Sequence, residues 1–141
     1  MVILDTDHVS LLERAESLEG GRLRTRLEPV AETEKATTII SYEEQTRGWL
    51  SVLSQARSMA HQIEAYRKLN RQLKNFCKMT VLEFDERAAI EFQSLQKSRL
   101  RIGTMDLKIA AIAFAHGATL LTRNLLDFRK IPGLKVDDWT K

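Results

Sequence analysis

The sequence predicts an α/β fold built around a mostly parallel sheet. Short apolar or β-branched runs alternate with segments in which apolar residues recur every three or four positions, which is the pattern of strands followed by helices. No internal repeat or low-complexity linker interrupts this alternation. The chain has 141 residues, and single domains commonly contain roughly 100–200 residues. We therefore expect residues 1–141 to form a single domain.

The first predicted elements are a strand, a helix and a charged segment. The apolar run 2–4 predicts a buried strand, and residues 10–18 have apolar side chains at helical spacing. Gly20 and Gly21 are expected to end this helix. Residues 22–35 are charged and irregular, so we expect a helix and a loop there.

The second strand leads into a long helical segment. The β-branched run 37–40 favours a strand, and Ser41, with Glu44 three positions later, has the spacing of a capping box. Residues 42–78 then carry an apolar stripe, which we expect to pack in the core. A break near residues 54–57 would fold this segment into a helical hairpin.

The remaining elements continue the alternation. Residues 81–82 predict a short strand, and Asp85 is expected to cap a helix over residues 87–100. Gly103 precedes a helix over residues 105–115 that is apolar nearly all round and therefore expected to be buried. Two further strands are predicted, one over residues 119–122 and a short one beginning at Val136.

The composition indicates a soluble, cytoplasmic protein that folds without disulfides or zinc. A single cysteine, Cys77, excludes an intramolecular disulfide and any zinc site built from cysteines. Every uninterrupted apolar stretch is far shorter than the roughly 18 residues that cross a bilayer. Residues 1–5 lack the basic region of a signal peptide. We therefore expect a cytoplasmic protein without a membrane-spanning segment.

Acidic residues fall at three predicted strand-to-helix junctions. Asp5 directly follows the first strand, Glu44 lies in the first turn after the second, and Asp106 lies in the first turn of the buried helix. Asn124 and Asp127 follow the strand over residues 119–122. Each residue alone could be a helix cap or a turn residue. Because ligands bind beyond the carboxyl ends of parallel strands, the whole set predicts a functional site there.

Converging carboxylates favour a bound cation. They repel one another and carry a desolvation cost unless a cation lies among them. Hard oxygen ligands favour Mg²⁺ or Mn²⁺ over zinc, and a carboxylate-bound Mg²⁺ suits the hydrolysis of phosphodiesters. His8, His61 and His116 are scattered among different elements, so we interpret them as surface or packing residues.

Four segments in order form a recognisable set: ILDTDHVSLL, ISYEEQTRG, GTMDLKIAAIAFAHGATLLTRNLLDF and IPGLKVDDW. From Val2 to Trp139 the chain resembles the PIN-domain ribonucleases and, more narrowly, the VapC toxins of bacterial toxin–antitoxin pairs. The resemblance implies a PIN-like three-layer α/β/α domain with a central mostly parallel sheet. It also implies an endoribonuclease that uses Mg²⁺ or Mn²⁺, forms a homodimer and is inhibited by a cognate VapB-like antitoxin protein.

The resemblance also assigns the metal ligands. It implies Asp5 and Asp106, together with Glu44, which stands four residues before Gly48 as in the family's pattern. Glu43 is the second choice for this third acid.

Supporting roles follow from the same motifs. Thr6 corresponds to the family's small hydroxyl residue beside the first acid, which binds a metal-bound water. Asn124 stands where the family often has an acid, and Asp127 could compensate for it.

Positive charge gathers on the predicted hairpin and just before Asp106. Between residues 57 and 78 the hairpin carries six Lys or Arg residues against the single acid Glu64. These cations could form a track for RNA phosphates, or simply a solvated helix face. The candidate RNA-binding residues are Arg67, Lys68, Arg71, Lys74, Arg101 and Arg123. The RNA could be a tRNA, but the sequence has no base-reading motif that selects one.

Two alternative functions remain open. Asp5 and Asp7 also match the Asp-x-Asp start of haloacid-dehalogenase-type phosphatases, although the later pair Asp137 and Asp138 comes too close to the end to complete that site. The second alternative is a PIN-like module that binds RNA or protein without cutting, because Asn124 replaces an acid.

Overall fold

A computed structural model describes residues 1–14 and 16–141; Ala15, which lies in the helix predicted over residues 10–18, is outside the described residues. The strands are β1 (Val2–Leu4), β2 (Lys35–Thr38), β3 (Val81–Leu82), β4 (Thr119–Leu121) and β5 (Val136–Asp137). The helices are α1 (Thr6–Leu12), α2 (Leu18–Leu27), α3 (Ile39–Gln55), α4 (Met59–Cys77), α5 (Glu86–Lys97), α6 (Thr104–His116) and α7 (Leu125–Phe128), with a 3₁₀ turn at Glu32–Glu34. Among these helices, none has both the length and the apolar composition needed to cross a bilayer.

The strands form one sheet in the order β3-β2-β1-β4-β5, and every neighbouring pair is parallel. In the central strand, Ile3 lies opposite Ala36 on one side and Leu120 on the other. One face packs against α5 and α6, and the other against α1, α2 and the end of α4. The predicted three-layer α/β/α architecture is confirmed. All strands end at one side of the sheet, here called the carboxyl edge.

The first helices differ from the prediction. α1 begins at Thr6 because Asp5 caps it, with Oδ1 of Asp5 accepting a hydrogen bond from the Thr6 backbone N–H at 2.8 Å. Ser17 caps α2 by accepting from the N–H of Gly20 at 3.0 Å. The prediction that Gly20 and Gly21 end a helix is therefore wrong, since both lie in the first turns of α2.

The junction between β2 and α3 is shifted by two residues from the prediction. β2 ends at Thr38 and α3 begins at Ile39, so the strand predicted over residues 37–40 ends too late. Thr38 is the N-cap, because its side-chain oxygen accepts from the backbone N–H of Ser41 at 3.1 Å. The prediction that Ser41 is the cap is wrong. Buried Thr38 is thus both the last residue of β2 and the N-cap of α3.

Residues 42–78 form the predicted helical hairpin, with α3 and α4 separated at residues 56–58. Tyr42 packs edge-on against Phe76, with ring centroids 5.3 Å apart, and Gln72 donates a hydrogen bond to Thr46. The expected core packing of the apolar stripe is only partly correct. Four of its large members are largely exposed, namely Met59, Ile63, Tyr66 and Leu73.

Asp106 reaches the carboxyl edge by an unexpected route. α6 follows α5 and not a strand, so Asp106 is not at a strand-to-helix junction as predicted. α6 ends at His116, and its C-cap Gly117, whose φ is 58°, lies beside the start of β4 at Thr119. Because β4 starts at the other side of the sheet, the first turn of α6 lies at the carboxyl edge. Asp85 caps α5 as predicted, although the helix ends three residues early at Lys97.

Candidate active site

Asp5 is buried at the carboxyl end of the central strand. Its Oδ1 accepts from the backbone N–H of Thr6, and its Oδ2 accepts from the hydroxyl of Thr122 at 2.8 Å. Burial, together with the nearby carboxylates of Asp7 and Asp106, raises the pKa of Asp5 from 3.8 to about 7. Asp5 is therefore a helix cap and at the same time a carboxylate whose negative charge is poorly compensated.

Glu44 is oriented by the residue next to Asp5 and not by its own helix. The hydroxyl of Thr6 donates to Oε1 of Glu44 at 3.0 Å, so the expected capping box is not formed. Partial burial raises the pKa of Glu44, and the carboxylate of Asp106 adds to this effect. Glu43 instead pairs with Arg47 one turn along α3. These contacts favour Glu44 over Glu43 as the acid of the site.

Asp106 is joined to the segment after β4 through an amide. Nδ2 of Asn124 lies 3.4 Å from Oδ2 of Asp106 and 3.1 Å from Oδ2 of Asp127. Burial and the carboxylate of Asp127 raise the pKa of Asp106. Hydrogen bonds from Asn124 and Lys130 hold the pKa of Asp127 below its ordinary value. The negative charge of Asp127 is thus already compensated by hydrogen-bond donors, whereas that of Asp106 is not.

Thr122 connects these acids, and the sequence interpretation missed it. Its fully buried hydroxyl donates to Asp5 and accepts from the backbone N–H of Asn124 at 3.0 Å. Hydrogen bonds therefore connect Asp106 to Asp5 through Asn124 and Thr122. Thr6 connects Asp5 to Glu44 in the same way. In the sequence, Thr122 is a threonine at the end of an apolar run, a pattern that predicts only the last residue of a strand.

The donor set fits one divalent cation held with few protein ligands. Within residues 1–14 and 16–141, no three His, Cys, Asp or Glu side chains are close enough to form a ready-made metal cage. Mg²⁺, however, is usually held by one or two carboxylates and keeps several waters. Asp5, Glu44 and Asp106 offer only oxygen ligands, and their raised pKa values indicate uncompensated negative charge that a cation would relieve.

A family model described as PIN domain matches residues 4–134. The chain belongs to the PIN domain family. Ribonuclease VapC1 of Rickettsia felis is 55% identical to this PIN domain over 42 residues, which are 30% of this chain and 31% of that protein. The tRNA(fMet)-specific endonuclease VapC of Salmonella typhimurium is 35% identical over 66 residues, or 44% of this chain and 50% of that protein. The matched regions thus span no more than half of either curated relative.

A solved structure supports the same fold over the whole chain. VapBC-1 from nontypeable Haemophilus influenzae aligns with 100% of this PIN domain and 100% of that chain, with a TM-score of 0.73 and 23% sequence identity. At this identity the likeness concerns the fold alone.

The phosphatase alternative loses its second acid in this PIN domain. Oδ1 of Asp7 lies 2.6 Å from Nδ1 of His8, and Oδ2 accepts from the backbone N–H of Arg123 at 3.0 Å. Asp7 is therefore committed to structural hydrogen bonds beside Asp5. Of the two alternatives expected for His8, surface or packing, the structure supports packing, because His8 is fully buried; its ring is also hydrogen-bonded.

Several candidate RNA-binding residues lie on α4, which is hydrogen-bonded to the helix that carries Glu44. Gln72 bonds to Thr46, so the α4 turns that carry Arg71 and Lys74 lie level with the α3 turn that carries Glu44. Both cations are exposed to solvent. The remaining RNA-binding candidates are exposed or half-buried: Arg67, Lys68, Arg101 and Arg123.

Proposed function

We propose that this PIN domain is a metal-dependent endoribonuclease of the VapC toxin type, which hydrolyses phosphodiester bonds in RNA. The observation that carries the proposal is the hydrogen-bonded set of Asp5, Glu44 and Asp106 at the carboxyl edge, each with a raised pKa. The ribonuclease and endonuclease names of its partial relatives support the same activity.

Asp5, Glu44 and Asp106 are the residues that would hold Mg²⁺ or Mn²⁺, directly or through metal-bound waters, since the three carboxylates do not form a ready-made cage among the described residues. When bound, such a cation polarises the scissile phosphate and lowers the pKa of an attacking water. The protein orients each acid through a separate donor. Thr122 donates to Asp5 and Thr6 donates to Glu44, which fixes one oxygen of each carboxylate.

Asn124 and Asp127 have supporting roles in this proposal. The amide of Asn124 donates to both Asp106 and Asp127, so it holds the two acids without adding a third negative charge. Lys130 neutralises Asp127 at a distance of 3.0 Å. Asp127 therefore compensates for the missing acid poorly, and we assign the ligand role to Asp106.

The substrate is RNA, and a tRNA is one candidate. Three carboxylates alone would repel the phosphate backbone, so affinity has to come from cations nearby. Arg71 and Lys74 lie level with Glu44, and Arg123 is the second residue after β4 at the same edge. The proposed RNA contacts extend from these residues to Arg67, Lys68 and Arg101.

The protein partners are an antitoxin of the VapB type and a second copy of this chain, in the cytoplasm. VapBC complexes are structural neighbours of this chain. The exposed apolar residues of α4, Met59, Ile63, Tyr66 and Leu73, form a surface that either partner could cover.

The second candidate function is an RNA- or protein-binding module without catalysis, because Asn124 stands in place of an acid. Incubation of purified protein with a panel of structured RNAs separates the two. The nuclease predicts cleavage with Mg²⁺ or Mn²⁺ that is lost with EDTA and in Asp5→Ala and Asp106→Asn. Binding without cleavage under any cation supports the module.

A further inference from the structure

His8 is the most completely enclosed ionisable side chain next to the site. It lies in α1 three residues after Asp5 and is 0% exposed. Its Nδ1 lies 2.6 Å from Oδ1 of Asp7, and its Nε2 lies 3.3 Å from the backbone nitrogen of Trp139. Both ring nitrogens therefore have a partner, as a buried imidazole requires, and one of these partners leads to the site.

The two partners determine where the ring proton lies. The backbone N–H of Trp139 can only donate, so Nε2 of His8 must accept. The proton of the neutral ring is then on Nδ1, where it points at Asp7. Asp138 lies farther away, at 3.7 Å from Nε2, and the oxygen concerned already accepts two hydrogen bonds from Thr140.

Asp7 also contacts the backbone of the segment after β4. With Oδ1 held by His8, its Oδ2 accepts from the backbone N–H of Arg123 at 3.0 Å and lies 3.4 Å from the hydroxyl of Thr122. The next residue is Asn124, whose amide contacts Asp106. The direction of the Asp7 carboxylate therefore helps to fix the Thr122–Arg123 peptide, which immediately precedes Asn124.

Residues 137–139, here called the carboxyl-terminal segment, face the Nε2 side of the His8 ring. The indole of Trp139 donates to Asp137 at 2.9 Å, and the guanidinium of Arg26 lies 4.8 Å from the indole centroid. Arg26 also reaches the carbonyl of Asp138 at 3.4 Å. These contacts attach residues 137–139 to α2, so the N–H that faces His8 is itself held in place.

We propose that His8 is a positioning residue of the nuclease site: through Asp7 it holds the peptide after β4, and with it Asn124, against Asp106. This inference rests on the proposed nuclease function. Removal of the Nδ1–H donor lets Asp7, which is partly exposed, rotate away from Arg123. Asp5, Glu44 and Asp106 are still present, but Asn124 is no longer held in one position against Asp106.

The test uses three substitutions at this position and one elsewhere. His8→Asn keeps an N–H donor where the ring has Nδ1, whereas His8→Gln places its amide near the position of Nε2. His8→Leu keeps the approximate volume without any polar atom. His116→Leu is the control, because His116 is exposed at the end of α6. Thermal unfolding of each variant identifies any that fail to fold.

The first measurement is the hydrogen exchange rate of the Arg123 backbone amide, which does not depend on activity. The inference predicts slow exchange in the unchanged protein, His8→Asn and His116→Leu, and faster exchange in His8→Gln and His8→Leu. Equal protection of Arg123 in all five proteins would overturn it, even if the unchanged protein cleaved no RNA. If the protein cleaved no RNA but showed the predicted exchange pattern, the proposed nuclease function would be contradicted. The claim that His8 fixes the backbone after β4 through Asp7 would still be supported.

The second measurement separates kcat from KM for RNA. The loss of a residue that orients ligands commonly lowers activity about 10- to 100-fold. We expect kcat to fall by about tenfold in His8→Gln and His8→Leu with KM little changed, and to recover in His8→Asn. A folded His8→Asn variant as defective as His8→Leu would contradict the inference.

Discussion

Nδ2 of Asn124 lies 3.4 Å from Oδ2 of Asp106, so the residue that stands in the place of an acid acts as a donor to one. The same amide nitrogen lies 3.1 Å from Asp127. An acid at position 124 would place three carboxylates together, whereas the amide separates two of them. With Asn124 in place of an acid, an amide joins Asp106 and Asp127, and the site carries one negative charge less.

Asn124→Asp is predicted to make the fold depend more strongly on cations. A third carboxylate beside Asp106 and Asp127 raises the pKa of Asp106 further and removes the amide hydrogen bond that lowers the pKa of Asp127. We expect a cost of about 1–2 kcal/mol in metal-free buffer. Urea unfolding with EDTA and with Mg²⁺ measures the effect. We expect Mg²⁺ to stabilise Asn124→Asp more than the unchanged protein, and an equal response in both would contradict this role of Asn124.

Glu44→Gln and Glu43→Gln form a matched pair of neighbouring substitutions. Glu44 accepts from Thr6 at the site, whereas Glu43 pairs with Arg47 on the helix surface. We expect cleavage to fall at least about 100-fold in Glu44→Gln and to stay within about threefold in Glu43→Gln. Rates are measured on one RNA at saturating Mg²⁺. The reverse order would assign the third acid to Glu43.

The metal-free protein is predicted to lose stability as the pH rises. The pKa of Asp5 is raised from 3.8 to about 7, so between these values the folded state binds more protons than the unfolded chain. The free energy of unfolding therefore falls as pH increases through this window, by up to about 4 kcal/mol. Asp5→Asn removes this dependence.

Chemical unfolding at several pH values with EDTA checks this prediction. Mg²⁺ should restore stability at pH 7 to 8 in the unchanged protein and have little effect in Asp5→Asn. An identical pH dependence in the unchanged protein and in Asp5→Asn, without a cation, would show that Asp5 is ionised without penalty.

The order of elements could be predicted because hydrophobic periodicity is a local property. The parallel sheet, the hairpin and the cap at Asp85 all follow from such patterns. The boundary at Thr38 could not be predicted, because its hydroxyl had to be seen accepting from Ser41. A β-branched residue suits the end of a strand and the N-cap of a helix equally well.

The acids of the candidate site were also predictable, but their supports were not. Asp5 and Asp106 are marked by position and motif, whereas Thr122 and His8 act through partners more than 100 residues away in sequence. Such contacts depend on how the sheet and the carboxyl-terminal segment pack. A lone threonine or histidine in one sequence contains no signal for that packing.

The cations of α4 are predicted to affect RNA binding more than catalysis. The double substitution Arg71→Ala with Lys74→Ala removes two exposed charges level with Glu44. We expect KM for RNA to rise with kcat nearly unchanged, and the slope of log KM against log salt to fall by roughly 0.7 for each lost phosphate contact. The control removes Arg22 and Arg24 from α2 in the same way. Equal effects of both pairs would indicate net charge alone.

The most direct test of the account is cleavage of end-labelled RNA by the purified protein and by Asp106→Asn, each with Mg²⁺ and with EDTA. The account predicts discrete cleavage products only for the unchanged protein with Mg²⁺, and at least about 100-fold slower cleavage by Asp106→Asn. Circular dichroism verifies that both proteins are folded. Cleavage that persists undiminished in EDTA, or in Asp106→Asn, would contradict a metal-dependent site at the carboxyl edge.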